Sequence, residues 1–143
     1  IYIYPMNRLD ASERAQILQL LCVGIAIRAI ARVTGKSKNT ITKLLVDAGE
    51  VLGEYQDLAF VNLKTTKVQV DEIWSFTYSK QKNVVAAKAA PDCAGDTWTW
   101  TAIDADSNLV MSWLVGGRDI GYAMAFIDDL TARLSNRVQL TSD

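Results

Sequence analysis

The chain of 143 residues has no histidine and only two cysteines. The lack of histidine excludes Ser-His-Asp and Cys-His nucleophile systems and every zinc site that needs an imidazole ligand. Two cysteines neither fill a tetrahedral metal site nor form a disulfide framework, and we expect Cys22 and Cys93 to be buried free thiols. Any acid–base or metal chemistry must therefore come from carboxylates.

Long hydrophobic runs are also missing. The longest apolar run, residues 20–27, is far shorter than the roughly 18 residues that span a bilayer. The N-terminus lacks the basic region followed by an apolar run that would mark a signal peptide. With 50% hydrophobic and 22% charged residues, the chain can fold around a core. We expect no membrane partner and a cytoplasmic location.

Charge is divided unevenly along the chain. Residues 1–50 carry seven basic and four acidic side chains, whereas residues 51–143 carry eight and twelve. A basic segment before an acidic one is typical of a DNA-binding module joined to a carboxylate site. A chance imbalance of this size is an equally good explanation.

The first helical pattern begins with a capping signal. Asp10-Ala-Ser-Glu13 has capping-box spacing, and apolar residues follow it at helical intervals. This predicts a helix over residues 11–22. Gly24 then breaks the pattern.

Two further helices follow, each with its own start or stop signal. Apolar residues recur at helical spacing up to Gly35, which suits a helix C-cap. Ser37 is expected to cap a third helix, which Gly49 is expected to end. Three short helices with a glycine-bearing turn before a polar, basic last helix predict a helix-turn-helix, whose last helix enters the DNA major groove.

The polar residues around this last helix are candidate DNA contacts. Asn39 can read an adenine edge, Thr40 or Thr42 a thymine methyl group or a phosphate, and the basic side chains can neutralise phosphates. The alternative is a generic three-helix bundle with a solvated basic face. The predicted DNA-binding residues are Arg28, Arg32, Lys36, Lys38, Asn39, Thr40, Thr42 and Lys43.

The remainder of the chain predicts strands and one helix. Residues 68–78 alternate strictly, with Asp71 on one face and Glu72 on the other. An acidic turn at 104–108 and a helix capped by Asp119 interrupt the later strands. The strands are predicted at 68–78, 97–103, 109–115 and 138–143, with a loop at 79–96.

The order strand-strand-strand-helix-strand is that of the opening of the ribonuclease H-like fold. Asp71 lies in the middle of the first strand, and Asp143 ends the strand after the crossover helix. If these two strands are neighbours, the carboxylates come together and a divalent cation with oxygen ligands reconciles their charges. The fold class is therefore α/β, or α+β overall: an N-terminal helix-turn-helix and a partial ribonuclease H-like mixed sheet.

Other acids and the tryptophans in this region have simpler interpretations. We expect Glu72, Asp104 and Asp106 to be structural or solvated rather than metal ligands. Trp98, Trp100 and Trp113 alternate in predicted strands, which favours core packing over base stacking.

The sequence resembles the DDE transposases of bacterial insertion sequences, specifically the family of the first-named insertion sequence and its single-frame relatives. The resemblance runs from about residue 6 to residue 143. It is carried by segments that include Val70-Asp-Glu-Ile-Trp-Ser-Phe76, Gly95-Asp-Thr-Trp-Thr-Trp-Thr-Ala-Ile-Asp-Ala-Asp106 and Asn39-Thr-Ile-Thr-Lys-Leu-Leu-Val-Asp-Ala-Gly49.

The resemblance implies that Asp71 and Asp143 are the first and second catalytic aspartates and ligands of Mg²⁺ or Mn²⁺, with two ions in the complete site. The third acid, a glutamate, is absent, so we expect a C-terminally truncated and inactive chain. The implied partners are double-stranded DNA, as terminal inverted repeats and target DNA, and further copies of the chain. The implied domains are residues 6–49 (DNA binding), 50–66 (connecting helix) and 67–143 (catalytic, incomplete).

A second function remains open from the sequence. A transcription regulator would carry the same helix-turn-helix, with the C-terminal part as a sensing or dimerisation domain. A DNA-binding remnant that inhibits full-length copies is a third interpretation.

Overall fold

A computed structural model describes residues 8–142. The chain divides into two compact units, Ile1–Leu58 and Ala59–Asp143. Helices make up the first unit, and the second contains a mixed four-stranded sheet with helices. The fold is α+β, as the sequence predicts.

The N-terminal helices are α1 (Ala11–Cys22), α2 (Ile27–Thr34) and α3 (Lys38–Ala59). The predicted capping box is present at the start of α1. Asp10 Oδ1 accepts a hydrogen bond from Glu13 N at 2.8 Å, and Glu13 Oε2 accepts one from Asp10 N at 3.1 Å. These two bonds satisfy backbone donors that the first turn of a helix leaves free.

One isoleucine from each helix forms the centre of the first unit. Ile17, Ile30 and Ile41 are all almost completely buried. Burial of each contributes about 1.5–3 kcal/mol. Gly24 and Gly35 take the left-handed conformation, with φ of 80° and 69°, in the turns between helices, where a side chain would be strained.

Gly49 does not end the third helix. α3 runs without interruption for 22 residues to Ala59, so the prediction of a helix end at Gly49 was wrong. A glycine costs only about 1 kcal/mol in a helix, and no proline follows to stop the chain from continuing. Within the described part of the chain, no helix combines the length and hydropathy needed to cross a membrane.

The strands of the second unit are β1 (Lys67–Thr77), β2 (Gly95–Asp104), β3 (Val110–Gly116) and β4 (Gln139–Ser142). Their order in the sheet is β3-β2-β1-β4. β2 is antiparallel to both β1 and β3, and β4 is parallel to β1. The predicted order of elements is confirmed, except that the predicted loop 79–96 contains a short helix, α4 (Gln81–Val84).

The crossover helix α5 (Ile120–Arg133) covers one face of the sheet. Asp119 Oδ1 caps it by accepting hydrogen bonds from Gly121 N at 2.8 Å and Tyr122 N at 3.3 Å. Its inner face supplies the buried Phe126 and Leu130 to the core of the unit. The sheet's buried residues in that core are Val68, Ala102 and Met111.

Cys22 and Cys93 are both exposed and free, so the expectation of buried thiols was wrong. Cys22 is the last residue of α1, beyond the turn that carries the buried Ile17. Cys93 lies in the irregular segment between α4 and β2. Neither position belongs to the periodic stretches that form a core.

Candidate nucleic-acid interface and carboxylate site

Local hydrogen bonds hold the turn between α2 and α3. Gly35 ends α2, and Thr34 Oγ1 then accepts a hydrogen bond from Lys36 N at 3.3 Å. Ser37 Oγ accepts a hydrogen bond from Thr40 N at 3.1 Å and caps α3, as the sequence predicts. The direction in which α3 leaves the turn is thereby fixed, which is what a helix-turn-helix requires.

Six of the eight predicted DNA contacts have exposed side chains, among them Lys43. Arg28 and Arg32 lie on α2, and Lys38, Asn39 and Thr42 lie in the first turns of α3. When the N-terminal end of a recognition helix enters a major groove, side chains at these places reach base edges and backbone phosphates. These five residues and Lys43 form the exposed part of the predicted interface.

Lys36 is engaged inside the unit. Its Nζ lies 2.5 Å from Glu13 Oε1 on α1, and both side chains are about one third exposed. The hydrogen bond from Lys36, followed by the backbone hydrogen bond from Asp10, lowers the pKa of Glu13. Lys36 therefore links the turn to α1, and its charge is already paired.

Thr40 and Lys43 also have partners in the unit. The hydroxyl of Thr40 lies 2.8 Å from that of Ser37 and is part of the cap of α3. Lys43 Nζ lies 2.8 Å from Asp47 Oδ1, one turn further along α3. This pair is solvent-exposed, so a phosphate can compete with Asp47 for the ammonium group.

Two basic residues that sequence reasoning missed lie beside α3. Arg8 and Arg14 line a depression of about 460 Å³ together with Asn39 and Lys43. Arg14 Nε donates to the Leu9 carbonyl at 3.3 Å, which keeps the side chain near the start of α1. Arg14 lies on the polar side of α1 and Arg8 just before its cap, which was the available signal, but only the fold brings them next to α3.

In the second unit, Asp71 lies in the middle of β1 on the face opposite α5. Its side chain is exposed, and its Oδ1 accepts a hydrogen bond from Glu72 N at 2.7 Å. A depression of about 260 Å³ next to it is lined by Gln69, Thr101, Thr141 and residues beside them. The lining offers oxygen donors of the kind that hard cations prefer.

Asp143 lies outside the described residues. β4 pairs with β1 in parallel, and Ser142 lies opposite Val70, the residue before Asp71. Across residues 8–142 there is no group of three or more His, Cys, Asp or Glu residues that could hold a metal ion. The structure therefore describes one of the two predicted catalytic carboxylates.

Glu72 points to the other face of β1, as predicted from the alternation. Its Oε1 lies 3.8 Å from Arg118 Nε. Asp104 accepts hydrogen bonds from the hydroxyls of Ser107 and Thr65, and these bonds lower its pKa. Both acids therefore have structural partners.

The tryptophans divide into two groups. Trp100 packs against Phe126 with ring centroids 5.9 Å apart, and its Nε1 donates to Gly117 O at 3.0 Å. The Arg118 guanidinium lies 4.7 Å from the ring centroid of Trp98. Trp113 lies on the opposite face of the sheet and is 50% exposed, so the prediction of core packing was wrong for this residue.

A family model described as a helix-turn-helix domain matches residues 7–45. The match covers α1, α2 and the first turns of α3, where the predicted DNA contacts lie. A comparison of the chain with curated proteins finds no match. The helix-turn-helix domain indicates DNA binding by the first unit.

Proposed function

We propose that the chain is part of a DNA transposase of an insertion sequence, in which the first unit binds terminal inverted repeats and the second carries a metal-dependent site for strand cleavage and transfer. One observation carries the proposal: Asp71 lies on an interior strand of a β3-β2-β1-β4 sheet, beside the parallel β4 that follows the crossover helix. This is the strand order expected for the opening of a ribonuclease H-like fold. The helix-turn-helix family that matches residues 7–45 is found in transposase N-termini.

The proposed mode of DNA binding follows from the exposure of the interface. The N-terminal turns of α3 enter the major groove, where Asn39 reads an adenine and Thr42 contacts a thymine methyl group or a phosphate. Arg28, Arg32 and Lys38 neutralise phosphates. Arg8 and Arg14, next to Asn39, add positive charge at the edge of the same surface.

Asp71, together with Asp143, would hold Mg²⁺ or Mn²⁺ at the sheet. The exposed carboxylate and the neighbouring hydroxyls are hard oxygen donors that fit such an ion. When bound, two such ions activate the attacking oxygen and stabilise the leaving oxygen at phosphorus. The carboxylate of Asp71 is exposed at the surface of the sheet, and its Oδ1 accepts a hydrogen bond from Glu72 N.

The resemblance assigns no third acid within the 143 residues, so we propose that the chain binds DNA but does not transfer strands. Transposases act on two ends of an element, and the expected form on DNA is a homo-oligomer. Such a protein acts in the cytoplasm, where the bacterial chromosome lies.

The DNA-binding part is tested by substitution at the start of α3. The full chain is first used to select a duplex from a random library. The affinity for this duplex is then measured at fixed salt for the chain and for a Lys38→Ala/Asn39→Ala double variant. We expect the double variant to bind about tenfold more weakly or worse, because it loses a base contact and a phosphate contact. Lys64→Ala, which removes a positive charge outside the helix-turn-helix, is the matched control. Equal affinities would contradict the interface.

The catalytic part is tested by metal binding and by strand transfer. Mn²⁺ binding, followed by electron paramagnetic resonance, should weaken about tenfold or more in Asp71→Asn, and Asp128→Asn on α5 should not change it. Binding that is independent of Asp71 would favour a transcription regulator. Strand transfer by the chain, if Asp71→Ala abolished it, would support the transposase and contradict the proposed inactivity.

A further inference from the structure

The second half of α3 exposes an apolar surface that the helix-turn-helix does not use. α3 is about 33 Å long, but only its first turns, with Ile41 and Leu44, pack on the core of the first unit. Further along the helix, Leu52 is 63% exposed, Tyr55 62% and Leu58 81%. Single exposed apolar residues are normal on a protein surface, but a contiguous set indicates a contact surface.

The exposed residues follow a regular seam. The exposed stripe of α3 is defined by Leu45, Ala48, Leu52, Tyr55 and Ala59, of which Ala48 is half-buried and the others are exposed. Their spacing alternates between three and four residues. This is the spacing by which one helix packs against another in a coiled coil. The stripe therefore suits a second helix better than a flat surface or a small ligand.

The charges of the same segment lie on the other side of the helix. At about 100° per residue, Asp47, Glu50, Glu54 and Asp57 all project away from the stripe. Gly49, Val51, Gln56 and Leu58 flank it, and none of them is charged. A basic partner would gain nothing from such a seam, whereas a second copy of α3 meets no like-charge repulsion there.

Gly49 adds an independent observation. It lies within a helix, its φ is not positive, and a Cβ at this position would meet nothing within 4 Å. Nothing among residues 8–142 therefore requires a glycine here, and glycine weakens a helix. A bare backbone at the edge of the stripe allows another helix to approach closely.

The orientation of a second copy follows from the first turns of α3. Ile41 and Leu44 lie on the same side of α3 as the stripe, and that side is occupied there by α1 and α2. In a parallel pair, the α1 and α2 helices of both copies would compete for the space between the two α3 helices. In an antiparallel pair, residues 45–59 of each copy face each other, and the core around Ile41 lies outside the paired segment of each copy.

We propose that two copies of the chain pair antiparallel through the exposed stripe of α3. Leu52 then packs beside the partner subunit's Tyr55, and Ala48 beside the partner subunit's Ala59. The contact is isologous, which is the commonest form of a homodimer. Its existence does not depend on the proposed function, although its consequence for DNA does.

The pairing fixes the spacing of the two recognition segments. With the two-fold axis near residue 53 and a rise of 1.5 Å per residue, residues 39–42 of the two copies lie about 33–42 Å apart. One turn of B-DNA, about 34–36 Å, falls within this range. The dimer should therefore prefer two inverted half-sites whose centres are one helical turn apart.

The pairing is tested first without DNA. Sedimentation of the full chain over a range of concentrations should show a species of about twice 15.8 kDa. Leu52→Glu should weaken dimerisation about tenfold or more, because it buries a charge in the seam. Glu54→Gln, on the outer side of α3, is the control, and circular dichroism verifies that both variants fold. A monomer at every concentration, or a dimer that tolerates Leu52→Glu, would overturn the proposal.

Cross-linking tests the orientation in a chain in which Cys22 and Cys93 are replaced by serine. A short bismaleimide should join two copies of a Leu52→Cys/Tyr55→Cys variant. It should not join two copies of Leu45→Cys, which an antiparallel pair separates by about 25 Å. Efficient joining through position 45 would overturn the antiparallel arrangement.

A final measurement separates this proposal from the proposed function. Leu52→Glu should keep the affinity of the chain for a selected duplex with one half-site and should lose the preference for two half-sites one turn apart. A half-turn insertion between the half-sites should abolish that preference in the unsubstituted chain. If no duplex is bound at all, the DNA function fails while the dimer stands; if half-site spacing has no effect on a dimeric chain, the proposed arrangement on DNA is wrong.

Discussion

The two units of the chain are stabilised by contacts of different range. In the first unit, the caps of α1 and α3 use hydrogen bonds between residues three positions apart, such as Asp10 with Glu13 and Ser37 with Thr40. In the second unit, β1 pairs with β2, and the register begins with Val68 opposite Asp104. A DNA-binding face can therefore be predicted from a short segment of sequence, whereas a carboxylate site depends on which strands become neighbours.

The largest expected effect comes from the core of the second unit. Phe126→Ala should reduce the free energy of unfolding of this unit by about 3–5 kcal/mol, because it leaves a cavity among residues from three strands. Met124→Ala, on the exposed side of α5, is the control and should change it little. Denaturant unfolding, followed by tryptophan fluorescence, measures both.

The same variant tests the comparison itself. All four tryptophans lie in the second unit, so their fluorescence follows the sheet, while binding of a selected duplex follows the helix-turn-helix. Duplex binding should survive Phe126→Ala under conditions that unfold the sheet. Parallel loss of both signals would show that the two units do not fold separately and would remove the basis of the comparison.

Sequence patterns predicted most of the fold because most of its signals are local. The capping box at Asp10, the left-handed glycine at Gly35 and the cap at Asp119 each define an element boundary within a few residues. The prediction of a helix end at Gly49 was wrong because a glycine alone does not end a helix. The prediction that Trp113 packs in the core was wrong because period-two alternation identifies the two faces of a strand but does not show which face is covered.

The candidate site was less predictable for the same reason. Alternation placed Asp71 and Glu72 on opposite faces, and the structure agrees. The approach of Arg8 and Arg14 to Asn39, however, depends on how α1 packs beside α3. Such contacts between elements leave no periodic signal in one sequence.

A smaller effect is expected from a buried polar contact that joins β3 to α5. Ser112 is almost fully buried, and its hydroxyl donates to Asp129 Oδ2 at 2.5 Å. Burial raises the pKa of Asp129, but hydrogen bonds from Arg133 and Ser112 outweigh that and lower it. Ser112→Ala should reduce the free energy of unfolding by about 1.5–3 kcal/mol, since the lost bond is to a charged group.

Asp128→Asn is the control for Ser112→Ala, because it removes a neighbouring exposed charge from α5 without touching this contact. Denaturant unfolding of the second unit measures both variants. An effect of Ser112→Ala no larger than that of Asp128→Asn would mean that the long-range contact contributes little, and the contrast between the units would weaken.

The matching local contact in the first unit should be worth less. Asp10→Ala removes the cap of α1 and should cost about 1 kcal/mol. Asp10→Asn, which keeps a capping oxygen, should retain most of the stability. Thermal unfolding followed by the helical circular dichroism signal checks this, and equal losses in the two variants would show that the negative charge, rather than the cap, matters.

The smallest effect concerns Lys36. The sequence predicts a DNA contact for this residue, whereas the structure pairs it with Glu13 on α1. The bond from Lys36 lowers the pKa of Glu13 below its usual value, so it stabilises the folded state above the unfolded-state pKa, and this contribution is lost as pH falls through the lower folded-state pKa. Stability of the first unit should therefore decline between about pH 6 and pH 3, and less so in Lys36→Gln. Because both groups are partly exposed, added salt should reduce the difference.

Lys36→Gln also sharpens the assignment of the interface. Because the charge of Lys36 is already paired with Glu13, its removal should cost little DNA affinity. Lys36→Gln should therefore weaken duplex binding less than Lys38→Ala does at the same salt concentration. If Lys36→Gln instead weakens binding as much as Lys38→Ala, while it also reduces the pH dependence of stability of the free protein, then Lys36 leaves Glu13 for a phosphate on DNA. The residue would then act as the sequence pattern predicts, and the contact with α1 would belong only to the free protein.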